Sequence, residues 1–483
     1  MIRSERRFHS FNTLHHGRDG LSTAADDGLS SWLCLAFATL ILSIVMYNRL
    51  DDGISGLLTF NRRDTWICLA SFAFCVVSVI RSGISWQRAG GFASKLVRLS
   101  FLMSVVSTAL MCVFGEGLVR FFAESDPEGP VIGDLRLLPR NWHQVAAYRR
   151  ISWERQANAS VFIFDSQLGW TIGPNLNGRG AARETIFSSA EGARVESRGF
   201  RFRDRVRARI ALVGNSYVFG SDVDYKDTWA FYLQQRLGTD VQVENFGVPG
   251  YGVDQAYLRY LKDVRERRPD VAILGLISHD LLRTTMVYYA VGWPGAAAPG
   301  AKPRFTMKNG ELILVNTPLP SPEAVYAERP IQNLPFIAYD RMYRSADWEP
   351  RWYEFSYLLR FGISWCTACR MGVSPPENEE TVTVNGAILH AFIRDALAVG
   401  TVPIVLFLPS YAEFQDPSGR LSGKSLVTVL KEARVEFIDM TNCIQTVNER
   451  ERFTKYWHYT PHANFMLAGC LRDILVERAA LSQ

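Results

Sequence analysis

One serine occupies a position from which it could act as a nucleophile. In Gly214-Asn215-Ser216-Tyr217-Val218-Phe219-Gly220 it directly follows ARIALVG (208–214), a short apolar run that reads as a buried strand. A serine just past a parallel strand stands on the carboxyl edge of the sheet, where ligands of open α/β folds bind. There its hydroxyl can be exposed for attack, and a backbone N–H at the turn can face the oxyanion that develops in acyl transfer. The flanking glycines permit the tight turn. The competing reading is a serine that only caps the next helix, and G-x-S alone does not choose between them.

The elements around this serine follow one grammar. After ARIALVG comes DTWAFYLQQRLG, an amphipathic helix; VQVENFG is a second strand, YGVDQAYLRYLKDVRERR a second helix and VAILGLI a third strand. NGAILHAFIRDALAVG with TVPIVLFLP, and KSLVTVLKEA with VEFIDM, add two helix-strand units, and a last helix runs from about Pro461 to Ala479. Such alternation predicts a parallel sheet with helices on both faces. Leu281 to Thr383 interrupts it as an insertion of about a hundred residues, long enough to be a lid or accessory lobe. The insertion holds a predicted hairpin, RFTMKNGELILVN, turning at Asn309-Gly310. It also holds an aromatic-rich helix, WYEFSYLLRFGISW, expected either to pack on the sheet or to cover the substrate.

The chemistry-bearing positions resemble the SGNH, or GDSL-like, hydrolase family. Its first block is G-D-S-x-x-x-G, matched by Gly214, Ser216 and Gly220, with Asn215 in place of the aspartate. The second block falls on Asn245-Phe246-Gly247-Val248-Pro249-Gly250-Tyr251-Gly252, and the third, G-x-N-D, on Ile277-Ser278-His279-Asp280. The last, D-x-x-H before the final helix, falls on Lys455 to His462, where His458 matches and Thr460 and Pro461 open the helix. His462 lies inside that helix and is the poorer base. The resemblance implies Ser216 as nucleophile and His458 as base, with Ser216 N–H, Gly247 N–H and His279 around the oxyanion. It also implies that no metal or organic cofactor is needed.

Two departures stand out. His279 replaces an asparagine donor, although an imidazole N–H can serve in one tautomer. The acid before His458 is missing, since Lys455 or Tyr456 stands in its place. Either Asp439 or Asp280 orients the histidine from elsewhere, or a backbone carbonyl holds it as a Ser-His dyad, or the site is degenerate.

Ahead of this domain lie runs too apolar for a globular protein. Ser31–Tyr47 and Thr65–Ile80 carry no charge, and a third run starts at Leu99 and continues past Phe114 to Arg120; these are three expected membrane spans. The tail carries Arg3, Arg6, Arg7 and Arg18, and the second loop Arg81, Arg88, Lys95 and Arg98. That bias puts the N-terminus inside and everything after Arg120 outside the cytoplasm. The expected layout is a cytoplasmic tail (1–30), three spans (31–122), a linker with a small β-rich entry lobe (123–207) and a three-layer α/β/α, flavodoxin-like domain (208–483) with its insertion (281–383).

A net charge of +5, with 53 basic residues scattered among 48 acidic ones, argues against nucleic acid as a partner. The lone C-x-x-C of Cys366 and Cys369 lacks the second pair of a zinc site and a thioredoxin-like surround, so free thiols or a structural disulfide are expected. Function is then expected to be ester hydrolysis or O-acyl transfer at the inner membrane, on an acylated envelope glycan or lipid. The alternative is a degenerate subunit that binds a glycan or a partner among envelope polysaccharide assembly proteins.

Overall fold

The computed structural model describes residues 84, 93–133, 135–156, 161–292, 300–327, 329–371, 379–415 and 426–478. The expected spans Ser31–Tyr47 and Thr65–Ile80, and the tail before them, lie outside these. The chain forms two compact units, Met1–Pro139 with Pro350–Trp365, and Arg140–Glu349 with Cys366–Gln483.

The first unit contains helix α1 (Ala93–Phe122), of which Val105–Phe122 is long and apolar enough to cross a membrane. The third expected span therefore lies on one continuous helix, with its most apolar window shifted toward Arg120. Leu110, Val113, Phe114 and Phe121 are exposed along it. Glu116 in its last turns accepts the N–H groups of Tyr357 and Leu358, both at 2.9 Å, and the Ser356 hydroxyl at 2.8 Å. It thereby supplies acceptors to the otherwise unpaired first turn of helix Tyr357–Met371. The aromatic-rich segment of the insertion thus belongs to this unit.

The second unit is built on an eight-stranded sheet. Its strands are β1 (Asn177–Arg179), β2 (Thr185–Ser188), β3 (Arg194–Val195), β4 (Ala208–Gly214), β5 (Val241–Asn245), β6 (Val271–Leu276), β7 (Val402–Phe407) and β8 (Ile438–Asp439), in spatial order β8-β7-β6-β4-β5-β3-β2-β1. From β8 to β5 every pairing is parallel, with Val271 beside both Ile210 and Val402 and Ala208 beside Val241. β3, β2 and β1 continue the sheet antiparallel from Asn245. The expected entry lobe is therefore, in part, an extension of the central sheet, because its short strands find in β5 the partner that a separate hairpin would lack.

Helices cover both faces, as the near-continuous apolar strands require. Alternate residues of β4 enter different cores: Ile210 and Leu212 meet Trp229 and Leu233 of helix Trp229–Leu237 and Leu467 and Leu471 of helix Pro461–Glu477, whereas Ala211 and Val213 meet Ala256 of helix Val253–Arg259 and Ile388 and Phe392 of helix Glu379–Leu397. The labelled helices are α2 (Ser216–Phe219), α3 (Trp229–Leu237), α4 (Val253–Arg259), α5 (Ser278–Arg283), α6 (Glu379–Leu397) and α7 (Pro461–Glu477). α4 continues through a π turn, Tyr260–Val264, and a 3-10 turn, Arg265–Arg267. α3 starts where the Thr228 hydroxyl accepts the Phe231 N–H, and α7 where Thr460 accepts the Ala463 N–H ahead of Pro461. The hairpin of the insertion forms at Phe305–Lys308 and Glu311–Leu314, with both turn residues, Asn309 and Gly310, at positive φ.

Candidate active site

The site assembles at the carboxyl rim of the sheet. β4 ends at Gly214, Asn215 caps α2 by accepting the Tyr217 N–H at 2.8 Å, and Ser216 is the first residue of that helix. Ser216 is only 7% exposed, and its backbone N–H has no acceptor among the described residues. α2 is a single turn that stops at Gly220, in the left-handed region at φ +81°, where a Cβ would come within 2.4 Å of Thr228. From 27 residues further along the chain, Asn245 holds this turn, donating its amide to the Val218 carbonyl at 2.9 Å.

His458, in the turn before α7, reaches back to this serine. Its Nε2 lies 2.9 Å from Ser216 Oγ, and its Nδ1 lies 2.6 Å from the carboxylate of Asp222. Asp222 follows the serine by six residues and is held at positive φ (+73°), a conformation in which Asp is one of the few tolerated non-glycine residues. Its side chain is almost fully buried, and the same Oδ2 accepts the Thr454 hydroxyl at 2.8 Å. Thr454 in turn donates its N–H to the His458 carbonyl at 2.7 Å and accepts the His458 N–H at 3.3 Å. One threonine thus ties together the acid and the loop carrying the imidazole.

The loop bearing Asp222 is clamped from below by Arg194 on β3. This guanidinium is buried and donates to the carbonyls of Phe219 at 2.9 Å, of Val223 at 2.6 Å, and of Gly220. Burial pushes its pKa down to about 10, partly opposed by Glu184, and it stays a cation. The Asp222 N–H donates to Glu184 Oε1 at 3.2 Å, which closes the loop from the other side.

Three expected positions need correction. Neither Asp439 nor Asp280 is the partner of His458. Asp439, the last residue of β8, is exposed and accepts the Thr441 N–H at 2.8 Å, a local contact at the turn. Asp280 is buried and accepts the Ile277 N–H at 3.0 Å, Arg283 at 2.8 Å, and the side-chain amide of Asn215. Burial raises its pKa to about 6 against the opposing pull of Arg283. Its task is to hold Asn215, the cap that precedes the nucleophile. Gly247 is the third: its N–H donates to Asn245 Oδ1 at 3.0 Å and is already taken. What the glycine provides is space, since a Cβ there would come within 2.5 Å of the Phe219 N atom.

His279 is the second residue of α5, on the same rim, and is half-buried. Burial, and then the neighbouring Arg283 cation, lower its pKa below the usual histidine value, favouring a neutral ring that carries one N–H. His462 lies exposed on α7, 3.2 Å from Glu451, and takes no part. Among the described residues no three His, Cys, Asp or Glu side chains converge as a metal site. The acid that sequence reasoning missed had one usable signal, an aspartate two residues beyond the glycine that ends the serine turn.

A disulfide joins Cys443 to Cys470, across 27 residues, and links the turn after β8 to α7. Of the C-x-x-C pair, Cys366 is a free thiol.

No family model matches the chain, and no curated protein matches it. Among solved structures, it is similar to a lipase/acylhydrolase from Enterococcus faecalis at 12% identity and TM-score 0.30, over 56% of this chain and 96% of that one. It is also similar to a member of the lipolytic G-D-S-L family from Veillonella parvula, at 11% identity and TM-score 0.29, over 56% and 98%. An acetylxylan esterase variant from Geobacillus stearothermophilus matches at 14% identity and TM-score 0.29, over 57% and 96%.

Proposed function

We propose that this chain is a membrane-anchored serine ester hydrolase of the SGNH type, acting outside the cytoplasm on O-acyl esters of an envelope glycan or lipid. The observation that carries the reading is the continuous relay from Ser216 Oγ through His458 to Asp222, at 2.9 and 2.6 Å. Such a relay lets Ser216 Oγ attack an ester carbonyl as His458 Nε2 takes its proton, while Asp222 orients the ring and stabilises the imidazolium. The tetrahedral oxyanion is met by the Ser216 N–H and, in this reading, by the His279 ring N–H. Collapse breaks the ester C–O bond, and the leaving alkoxide takes the proton from His458. Water then attacks the acyl-serine with His458 as base, releasing the acid and restoring the serine. If a sugar hydroxyl replaces water in that step, the same residues carry out O-acyl transfer.

The disulfide supports the extracytoplasmic placement, because such bonds persist in oxidising compartments. The apolar window Val105–Phe122 supports an anchor. A degenerate binding subunit is disfavoured, since such a subunit has no need of a buried acid aligned on the base.

A fluorophosphonate probe tests the reading. Labelling of the native chain should disappear in Ser216→Ala, with ester hydrolysis falling at least about a hundredfold. Asp222→Asn should cost on the order of 10³ to 10⁴ in kcat, as for a triad acid replaced by its amide. Undiminished turnover in either variant would reject the assignment.

A further inference from the structure

Two aromatic residues immediately before His458 are left unused by the core. Tyr456 is 41% exposed and Trp457 55%, although an indole is among the most rewarding groups to bury. Trp457 also keeps its backbone at φ +76°, a strained conformation for a bulky L-residue and one that clusters at functional sites. The peptide is fixed there, its carbonyl accepting the Tyr217 hydroxyl at 2.5 Å and its N–H donating to the Thr454 carbonyl at 3.1 Å. The indole rests on the ring of Tyr411, with centroids 4.2 Å apart, and Tyr411 packs edge-on against Phe453.

A second observation lies two residues beyond Tyr411. Glu413 accepts both the N–H and the hydroxyl of Ser410 on Oε2, while its Oε1 has no hydrogen-bond partner among the described residues. A carboxylate oxygen left unpaired inside a protein is costly unless something else donates to it. Oε1 is itself buried, so what the rim beside the base offers is the flat aromatic surface.

We infer that Trp457, propped by Tyr411, is the platform of a sugar subsite next to the acyl centre, so that the acyl carrier is a carbohydrate. This rests on the esterase reading above. The face of an indole is electron-rich and attracts the weakly positive C–H groups on the apolar face of a pyranose, while the ring hydroxyls point outward to polar partners. An acyl chain, flexible and wholly apolar, is better held in a concave cleft than on one open plane. Trp457 and His458 are consecutive, with Cα atoms about 3.8 Å apart, so a sugar seated on the indole brings its ester close to Ser216.

The test uses the full chain in detergent, with O-acetylated xylo-, gluco- and manno-oligosaccharides, p-nitrophenyl acetate and p-nitrophenyl octanoate. In Trp457→Ala the ratio of kcat/KM for the oligosaccharides to that for p-nitrophenyl acetate should fall about tenfold or more, through KM, which is the effect of one aromatic contact. Trp457→Phe should recover most of it. By calorimetry, Ser216→Ala should bind the oligosaccharides, and adding Trp457→Ala should weaken binding about tenfold. An unchanged ratio with unchanged binding overturns the subsite, and so does an equal loss on the octanoate, which would mark an acyl-chain surface. Trp457-dependent binding by Ser216→Ala, without ester hydrolysis by the native chain, would keep the subsite and remove the esterase reading. Hydrolysis of the nitrophenyl esters with no oligosaccharide bound or cleaved would remove the subsite alone.

Discussion

At the scale of single residues, the reactive groups depend on neighbours that never touch substrate. Arg194 is the clearest case, because three carbonyls of the loop between Phe219 and Val223 converge on its buried guanidinium. Backbone carbonyls at a turn that leaves its helix early have lost their intrahelical donors, and a planar fork of five donors can supply several at once. A lysine keeps the charge but not the fork. Arg194→Lys should therefore loosen Asp222 and lower kcat about tenfold while KM stays near its native value, read from steady-state ester hydrolysis. A rise in KM with kcat unchanged would mean that the clamp serves binding rather than the orientation of His458.

At the scale of elements, the two carboxylates near the serine separate by surroundings. Asp222 faces the imidazole and a threonine hydroxyl, whereas Asp280 is enclosed at the start of α5 and spends its acceptors on Asn215, Ile277 and Arg283. Burial raises the Asp280 pKa to about 6, above the value of about 4 in an unfolded chain. A raised carboxyl pKa means that the folded state holds a proton the unfolded state has already released. The stabilisation from that proton is complete below about pH 4 and is lost as pH rises to about 6. Denaturation of the full chain across this window should show stability falling with pH by this contribution, and Asp280→Asn should flatten the slope. An identical slope in the variant would remove Asp280 as its source. The disulfide works on the same scale, closing a 27-residue loop onto α7, the helix that begins just after His458. Cys443→Ser should cost about 3.5 kcal/mol in chemical denaturation by the loop-entropy model; a change under about 1 kcal/mol would show that packing already fixes that helix.

At the scale of the whole molecule, the chain joins a unit with a membrane-competent helix to an α/β unit with a hydrolase-like relay. Three spans with the N-terminus inside remain our proposal for the topology, and they place Ser216 outside. An alkaline phosphatase fused after residue 130 should be active, and a reporter that works only in the cytoplasm should be silent; the reverse result would move Ser216 to the other side.

The sequence by itself determined the parallel α/β architecture, because five apolar strands alternate with amphipathic helices, and that pattern permits few other solutions. It also located Ser216 and His458, since each sits beside a punctuation mark, the end of a strand and the opening of a helix, that is legible without partners. Only the tertiary structure decided which carboxylate completes the relay. Asp222, Asp280 and Asp439 look alike in one dimension, and the distinction arises from a left-handed turn stopped by Gly220, a clamp from Arg194 and a hydroxyl from Thr454. The same holds for Gly247, whose N–H is committed to Asn245, and for β1 to β3, whose place on the central sheet depends on the exposed edge of β5. Hydrogen-bond partners distant in the chain leave no local periodicity to read, so only folding shows which groups are already committed.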